Sequence, residues 1–181
     1  MSYEVEQKYA VRNLAELESG LTQLNITWGD TLTQRDAYFN HPGRDFAQTD
    51  EALRIRSSAG TTWITYKGPR IDLTTKTRRE IDLPLAESAT MQQAEQLLES
   101  LGFEFVAIVE KQRRCGSLNW QGQQIEIALD EVEGLGQFIE IEILAEETEL
   151  QWAQQRVQQV ATALNLSDGI TAGYLDLLLK N

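Results

Sequence analysis

The N-terminal stretch places two carboxylates and a lysine at alternate positions. Glu4, Glu6 and Lys8 are each separated by one residue, so in a β-strand all three would project from the same face. Two carboxylates about 7 Å apart along a strand suit a divalent cation, since hard cations prefer oxygen ligands. A lysine beside them suits a phosphate group, which it holds as a point charge. Taken alone, the pattern is more typical of a solvated strand face, so the rest of the sequence must decide between these interpretations.

Charged residues recur at alternate positions in most of the other stretches that have strand-like alternation. The sets are Arg54 and Arg56; Lys67; Arg78, Glu80 and Asp82; Lys111 and Arg113; and Glu140 and Glu142. A half-buried strand normally has one apolar face and one mixed, solvated face. About eight strands could close into a barrel, and closure would turn one face of every strand inward. Charges of both signs would then line the lumen, which favours a bound polyanion together with metal ions, because unpaired buried charges are costly.

The elements that would position these side chains follow from periodicity. Strand-like alternation predicts strands over 31–40, 52–56, 61–67, 75–83, 106–120, 124–130 and 138–144, after the first strand. Apolar residues at helical spacing predict a helix capped by Asn13 and further helices over 88–101, 149–164 and 174–179. In this arrangement the apolar strand faces would pack against helices outside the barrel.

Size and composition restrict the class of protein. The chain has 181 residues, of which 41% are hydrophobic, and this predicts one domain spanning 1–181 with a sizeable core. Its net charge of −12 argues against broad binding of nucleic acids or anionic membranes. A single histidine and a single cysteine cannot form a zinc site of the His/Cys type, so a metal would be held by carboxylates. We expect a cytoplasmic protein, because no signal peptide or membrane-spanning segment is visible and the lone cysteine suits a reducing compartment.

The charged strands also carry a series of motifs in a defined order. They are Glu4-Val5-Glu6-Gln7-Lys8, Asp36-Ala37-Tyr38-Phe39, Leu53-Arg54-Ile55-Arg56, Tyr66-Lys67-Gly68-Pro69, Arg78-Arg79-Glu80, Glu110-Lys111-Gln112-Arg113, Asp130, Gly134-Leu135-Gly136-Gln137-Phe138 with Glu140 and Glu142, and Gly173-Tyr174. This series resembles the CYTH family of triphosphate tunnel metalloenzymes, named for class IV adenylyl cyclase and thiamine triphosphatase. The resemblance spans nearly the whole chain. It implies an α+β fold in which eight antiparallel strands form a closed barrel with helices packed outside.

The resemblance also implies roles for the charged residues. The predicted ligands of Mg²⁺ or Mn²⁺ are Glu4, Glu6, Glu80, Asp130, Glu140 and Glu142. The predicted triphosphate-binding residues are Lys8, Arg54, Arg56, Lys67, Arg78, Lys111 and Arg113, and those closest to the chemistry are Glu4, Glu6, Lys8 and Lys111. Asp82 could lie at the tunnel mouth, and strand parity turns Arg79 outward.

Two reactions share such a site. In a cyclase, the ribose 3′-hydroxyl of ATP attacks the α-phosphorus and pyrophosphate leaves; in a triphosphatase, water attacks thiamine triphosphate, inorganic triphosphate or a nucleotide. The motif series is most similar to the class IV cyclase branch, with a triphosphatase as the alternative. A non-catalytic polyphosphate-binding module is a third reading, which the complete carboxylate set disfavours. The helix over 149–164 could pack on its own barrel or on a second subunit, which leaves a homodimer open.

Overall fold

The computed structural model describes residues 2–71 and 75–180 as a β-barrel with helices on its outside. The strands are β1 (Ser2–Ala10), β2 (Thr27–Asn40), β3 (Ala52–Ser58), β4 (Thr61–Arg70), β5 (Lys76–Pro84), β6 (Glu104–Trp120), β7 (Gln123–Val132) and β8 (Gly136–Glu146). They pair in the closed order β1-β5-β4-β3-β2-β6-β7-β8, and every pairing is antiparallel. The predicted α+β class and closed eight-stranded barrel are confirmed.

The strand β2 is longer than its alternation predicts. It begins at Thr27 rather than at residue 31, and its pairing with β6 changes register between Trp28 and Thr31. Such an irregularity breaks the strict alternation of faces, so the first residues of β2 do not read as a strand. From Thr31 to Tyr38 the pairing with β6 is regular, and a second register shift follows between Tyr38 and Phe39.

The helices are α1 (Leu14–Gln23), α2 (Phe46–Thr49), α3 (Met91–Ser100), α4 (Leu150–Ala163) and α5 (Tyr174–Leu178). The Asn13 side chain caps α1 by accepting from the backbone N–H of Glu16, as predicted. The helix α3 starts later than predicted because Thr90 and Gln93 form a capping box there. The helical spacing of its apolar residues predicts that Leu101 packs inward, but Leu101 is the C-cap residue and is 62% exposed. None of the described helices is long and apolar enough to cross a membrane.

The apolar faces of the strands point outward, under the helices. Val5, Ile127 and Ile141 are fully buried and share a core cluster with Val157 of α4. A second cluster packs outward residues of β2 and β3 against Phe46 of α2 and against α3. Burying such an aliphatic side chain contributes roughly 1.5–3 kcal/mol. The barrel is therefore stabilised from outside, and its interior is left to charged residues.

Strand register brings the charged residues of neighbouring strands side by side. Lys8 is opposite Glu140 and Glu6 is opposite Glu142 in the pairing of β1 with β8. In the pairing of β4 with β5, Lys67 is opposite Glu80. Residues directly opposite each other project from the same face of a sheet. The sequence-distant charged pairs are thus gathered on the inner surface of the barrel.

Candidate active site

A cavity of about 770 Å³ occupies the inside of the barrel and is called the tunnel below. Every site residue predicted from the sequence lines it, with the exception of Asp130. The lining residues from that prediction are Glu4, Glu6, Lys8, Arg54, Arg56, Lys67, Arg78, Glu80, Lys111, Arg113, Glu140 and Glu142. The alternating charges therefore face one shared space rather than solvent outside the barrel.

Two arginines of the tunnel are held by a buried aspartate. Asp36 on β2 lies opposite Arg56 on β3 and is 2% exposed. Arg56 Nε and Nη2 each donate to an Asp36 oxygen at 2.5 Å, and Arg54 Nη1 lies 3.4 Å from Asp36 Oδ2. Burial by itself would raise the pKa of Asp36, but the two guanidinium groups outweigh it and hold that pKa well below its usual range. We call Asp36, Arg54 and Arg56 the arginine clamp.

Sequence analysis assigned no role to Asp36. The available signal was its position on the inward face of β2, at the same parity as Tyr38. Its pairing with Arg56 depends on the register between β2 and β3, which alternation within one strand does not specify.

Lys67 bridges two of the predicted metal ligands. Its Nζ lies 2.6 Å from Glu4 Oε2 and 2.8 Å from Glu80 Oε2. Burial raises the pKa of Glu4 above its usual value even though the Lys67 charge acts in the opposite direction. The pKa of Lys67 is raised, because the charges of Glu4 and Glu80 outweigh the opposing effect of burial. Lys67 is therefore a fixed positive charge beside the carboxylates of β1 and β5.

Beside Glu4, three carboxylates lie at directly opposite positions on adjacent strands. Glu142 on β8 lies opposite both Glu6 on β1 and Glu126 on β7. Within residues 2–71 and 75–180, Glu142 makes no hydrogen bond or salt bridge. Burial raises its pKa well above the usual value, and the negative charges of Glu4, Glu6 and Glu126 add to this effect. We call Glu6, Glu126 and Glu142 the acidic wall.

Glu126 was not predicted as a site residue, although it lines the tunnel. Its parity with Asp130 on β7 was the signal that could have identified it, because residues four apart in a strand share a face. Glu126 accepts a hydrogen bond from the Cys115 thiol at 3.3 Å.

Asp130 lies behind the tunnel wall rather than on it. Its carboxylate is fully buried and accepts from Lys111 Nζ at 3.1 Å, from Arg113 Nε at 2.7 Å and from the Tyr174 hydroxyl at 2.7 Å. Burial would raise its pKa, but the hydrogen bonds and charge of Arg113 keep it below the usual range. Asp130 thus fixes two of the predicted triphosphate-binding residues, and its predicted role as a metal ligand stays a prediction.

Lys111 and Lys8 are both deeply buried. Lys111 is 4% exposed, and burial together with the charge of Arg113 lowers its pKa to about 7 despite the nearby carboxylates. Lys8 is 1% exposed, and its Nζ lies 3.1 Å from the carbonyl oxygen of Ala172 and 3.5 Å from Glu140 Oε1. Arg113 also contacts Glu140, so basic and acidic residues interlock at this end of the tunnel.

Residues of β5 occupy both ends of the tunnel. Arg78 lies 3.5 Å from Asp50, which ends α2, and Asp82 accepts from the Thr65 hydroxyl at 2.5 Å. Both Arg78 and Asp82 line the tunnel, whereas Arg79 is exposed on the outside as its parity predicts.

The acidic wall has the donor chemistry of a site for a hard divalent cation. Its ligating atoms are all carboxylate oxygens, which Mg²⁺ and Mn²⁺ prefer. Glu142 makes no hydrogen bond or salt bridge among the described residues, and the charge of Lys67 offsets only part of the effects that raise its pKa, so a bound cation would relieve the remaining repulsion. In residues 2–71 and 75–180, no three acidic, histidine or cysteine side chains already converge on a single point. The residues fit such an ion in chemistry, and binding would draw their side chains together.

Comparison with known proteins places this barrel among others of similar sequence and fold. The sequence pattern of the CYTH domain matches residues 2–174. A protein of Methanocaldococcus jannaschii named "Putative adenylate cyclase" is 36% identical over 177 residues, which cover 96% of this chain and 97% of that protein. The protein named adenylate cyclase CyaB of Aeromonas hydrophila is 30% identical over 171 residues, covering 91% of this chain and 82% of that protein. A solved structure from Pyrococcus horikoshii OT3 is 36% identical, superposes with a TM-score of 0.85 and covers 98% of both chains.

Proposed function

The chain belongs to the CYTH domain family, and from that premise we propose that it is a metal-dependent enzyme acting on a triphosphate inside the tunnel. The reaction we propose is that of a class IV adenylyl cyclase, which converts ATP into cyclic AMP and pyrophosphate. The names of the relatives from Methanocaldococcus jannaschii and Aeromonas hydrophila support this choice over triphosphate hydrolysis.

One observation carries the proposal. The protein has a net charge of −12, yet its tunnel is lined by lysines and arginines from β1, β3, β4, β5 and β6. A triphosphate carries several negative charges at spacings that such side chains can match. Charge-assisted hydrogen bonds from lysine and arginine to phosphate are among the stronger polar contacts in proteins. The distribution therefore suits a small polyanion held within the barrel, not a polyanion bound on the outer surface.

Basic residues of the tunnel would bind the phosphates, and its carboxylates would bind the metal ion. The arginine clamp presents planar guanidinium groups, which can donate to two phosphate oxygens at once, whereas Lys8, Lys67 and Lys111 act as point charges. The acidic wall and Glu4 would hold Mg²⁺ or Mn²⁺, with Glu80 and Glu140 as further candidate ligands. Such an ion supplies charge neutralisation at phosphate oxygens.

In the cyclase reaction the ribose 3′-hydroxyl gives up its proton to water or to a carboxylate of the tunnel, and its O3′ forms a bond to the α-phosphorus. The bond between that phosphorus and the α,β-bridging oxygen breaks, and pyrophosphate departs with the bridging oxygen. Catalysis of phosphoryl and nucleotidyl transfer depends mainly on positioning and electrostatic stabilisation. Arg54, Arg56 and Lys111 would supply positive charge to the phosphate chain. The pKa of about 7 allows Lys111 Nζ to hold or release a proton near neutral pH.

A product assay tests the proposal. Purified protein is incubated with ATP and Mg²⁺ or Mn²⁺, and the products are separated; cyclic AMP and pyrophosphate in equal amounts are the expected result. Glu6→Gln should lower turnover by at least about a hundredfold, the scale of losing one charged catalytic group. The matched control is Glu131→Gln, since Glu131 lies exposed on the outer face of β7.

The other outcomes identify the alternatives. Orthophosphate released from ATP, thiamine triphosphate or inorganic triphosphate, without cyclic AMP, would replace the cyclase with a triphosphatase. Tight binding of these compounds without turnover by any metal-loaded sample would identify a polyphosphate-binding module. In that case Glu6→Gln should bind the anion at least as well as the unchanged protein, because it removes a negative charge from the tunnel.

A further inference from the structure

The C-terminal segment crosses one end of the tunnel and is tied to it by backbone contacts. The Ile170 N–H donates to the carbonyl of Lys8 at 2.7 Å, and Lys8 Nζ donates in return to the carbonyl of Ala172 at 3.1 Å. Arg70 on β4 donates to the carbonyl of Thr171 at 3.0 Å. These contacts place the start of α5 directly against the basic residues of the tunnel.

Tyr174, the first residue of α5, makes two kinds of contact with charged groups. Its hydroxyl donates to Asp130 Oδ2 at 2.7 Å in a buried environment. Its ring lies under two ammonium groups, with the centroid 3.7 Å from Lys8 Nζ and 4.9 Å from Lys111 Nζ. The ring is itself held edge-on by Phe138 of β8, at 5.1 Å between centroids and an interplanar angle of 66°.

Each charged group that Tyr174 contacts either is a predicted triphosphate-binding residue or forms a hydrogen bond with one. Asp130, held by the hydroxyl, also accepts from Lys111 and Arg113. The aromatic face attracts Lys8 and Lys111 directly, because the π-system is electron-rich above and below the ring. Lysine side chains have many rotamers, and a binding site gains affinity when these are restricted before the ligand arrives.

We propose that Tyr174 is a positioning residue of the triphosphate site, which orients Lys8 and Lys111 through its ring and Arg113 through Asp130. The inference rests on the proposed function, since it assumes that these three residues bind phosphate. Tyr174 lines the tunnel beside them, but its hydroxyl donates to Asp130 and that proton is not available for a phosphate.

A second tyrosine provides a matched control. The Tyr66 hydroxyl donates to the carboxylate of Glu51, which also pairs with Arg44 at 3.1 Å. This tyrosine, carboxylate and arginine repeat the chemistry of Tyr174, Asp130 and Arg113. Tyr66 and Arg44 do not line the tunnel; Glu51 does, but among the described residues it forms no hydrogen bond or salt bridge with Lys8, Lys111 or Arg113. Removing the Tyr66 hydroxyl therefore disturbs a similar hydrogen bond without touching these basic residues of the tunnel.

The experiment measures binding of inorganic tripolyphosphate by calorimetry without metal, at a temperature where circular dichroism shows every variant folded. Tyr174→Phe keeps the ring and loses the hydroxyl, so the dissociation constant should rise about threefold. Tyr174→Leu loses both, and the rise should be at least about tenfold. Tyr66→Phe should bind as the unchanged protein does.

The graded order separates positioning from simple packing. A purely structural role predicts lower unfolding temperatures for both Tyr174 variants with dissociation constants equal to that of the unchanged protein, and this result would overturn the inference. The inference is supported if Tyr174→Phe retains most of the affinity that Tyr174→Leu loses, because phenylalanine keeps the aromatic face. If Tyr174→Leu does not fold, an unchanged affinity in Tyr174→Phe overturns the part played by the hydroxyl. If the unchanged protein fails to bind tripolyphosphate without metal, the series is repeated with Mg²⁺; failure to bind under both conditions would refute the proposed function, and the inference with it.

Discussion

The arginine clamp and the acidic wall lie in one tunnel but differ in how their charges are balanced. In the clamp, Asp36 accepts two short hydrogen bonds from Arg56 and a longer one, at 3.4 Å, from Arg54. In the wall, Glu142 faces Glu6 and Glu126 and makes no hydrogen bond or salt bridge among residues 2–71 and 75–180, and the charge of Lys67 lowers its pKa only in part. The pKa values shift in opposite directions, downward for Asp36 and upward for Glu142.

The difference indicates which part of the site has its geometry fixed before a ligand binds. A buried charge that is paired and hydrogen-bonded contributes to a defined geometry, whereas clustered like charges repel one another until a counterion arrives. The cationic side of the tunnel is therefore held in place by the protein alone. On the acidic side, a bound cation would relieve the repulsion that raises the pKa of Glu142, and three experiments test this contrast.

The largest effect is expected from Asp36→Asn. Removing this carboxylate leaves Arg54 and Arg56 close together and mostly buried without their partner. Breaking a buried ion pair by removing one member typically costs about 3–5 kcal/mol of stability. Urea unfolding followed by circular dichroism should show a loss of this size.

Asp168→Asn is the matched control. Asp168 pairs with Arg12 at 3.5 Å on the surface, where both side chains are mostly exposed, and asparagine tolerates its positive φ of 61°. The control should leave the urea midpoint unchanged. An Asp36→Asn variant as stable as this control would show that the clamp contributes nothing to the fold.

A smaller effect is expected at low pH, in the acid limb of a plot of the unfolding free energy against pH. The folded-state pKa of Asp36 is lowered, so its stabilising contribution is fully present above the unfolded value of about 3.9 and is lost as pH falls through the folded value. In Asp36→Asn that contribution is missing at every pH. The slope of unfolding free energy below about pH 4 should therefore be shallower by up to about 1.4 kcal/mol per pH unit. Parallel acid limbs in the two proteins would mean that Asp36 has an ordinary pKa and is not clamped.

Alternation along single strands was enough to predict the barrel and the polarity of its lumen. Strand parity is strict, so Glu4, Glu6 and Lys8 had to share a face, and the same rule placed Arg54 with Arg56. Parity does not specify what lies across the barrel or behind the wall. The matching of Asp36 with Arg56 needs the register of two strands, and the enclosure of Asp130 needs the path of Tyr174, which is 44 positions away in sequence. These interactions are tertiary, and no local pattern carries them.

The smallest change in the free energy of unfolding is expected from Glu142→Gln, and it is a gain in stability rather than a loss. The folded-state pKa of Glu142 is raised, so its ionised form opposes folding at every pH above its unfolded pKa. Without metal, at neutral pH and in the presence of a chelator, Glu142→Gln should be more stable than the unchanged protein. The gain should be below about 1 kcal/mol, because water reaches this side chain and screens the repulsion. Exposed Glu131→Gln should show no gain.

Added Mg²⁺ should stabilise the unchanged protein more than the Glu142→Gln variant, because a ligand stabilises a protein only when it binds the folded state. A loss of stability in Glu142→Gln, comparable with that of Asp36→Asn, would show that the acidic wall is internally paired like the clamp and does not depend on a cation.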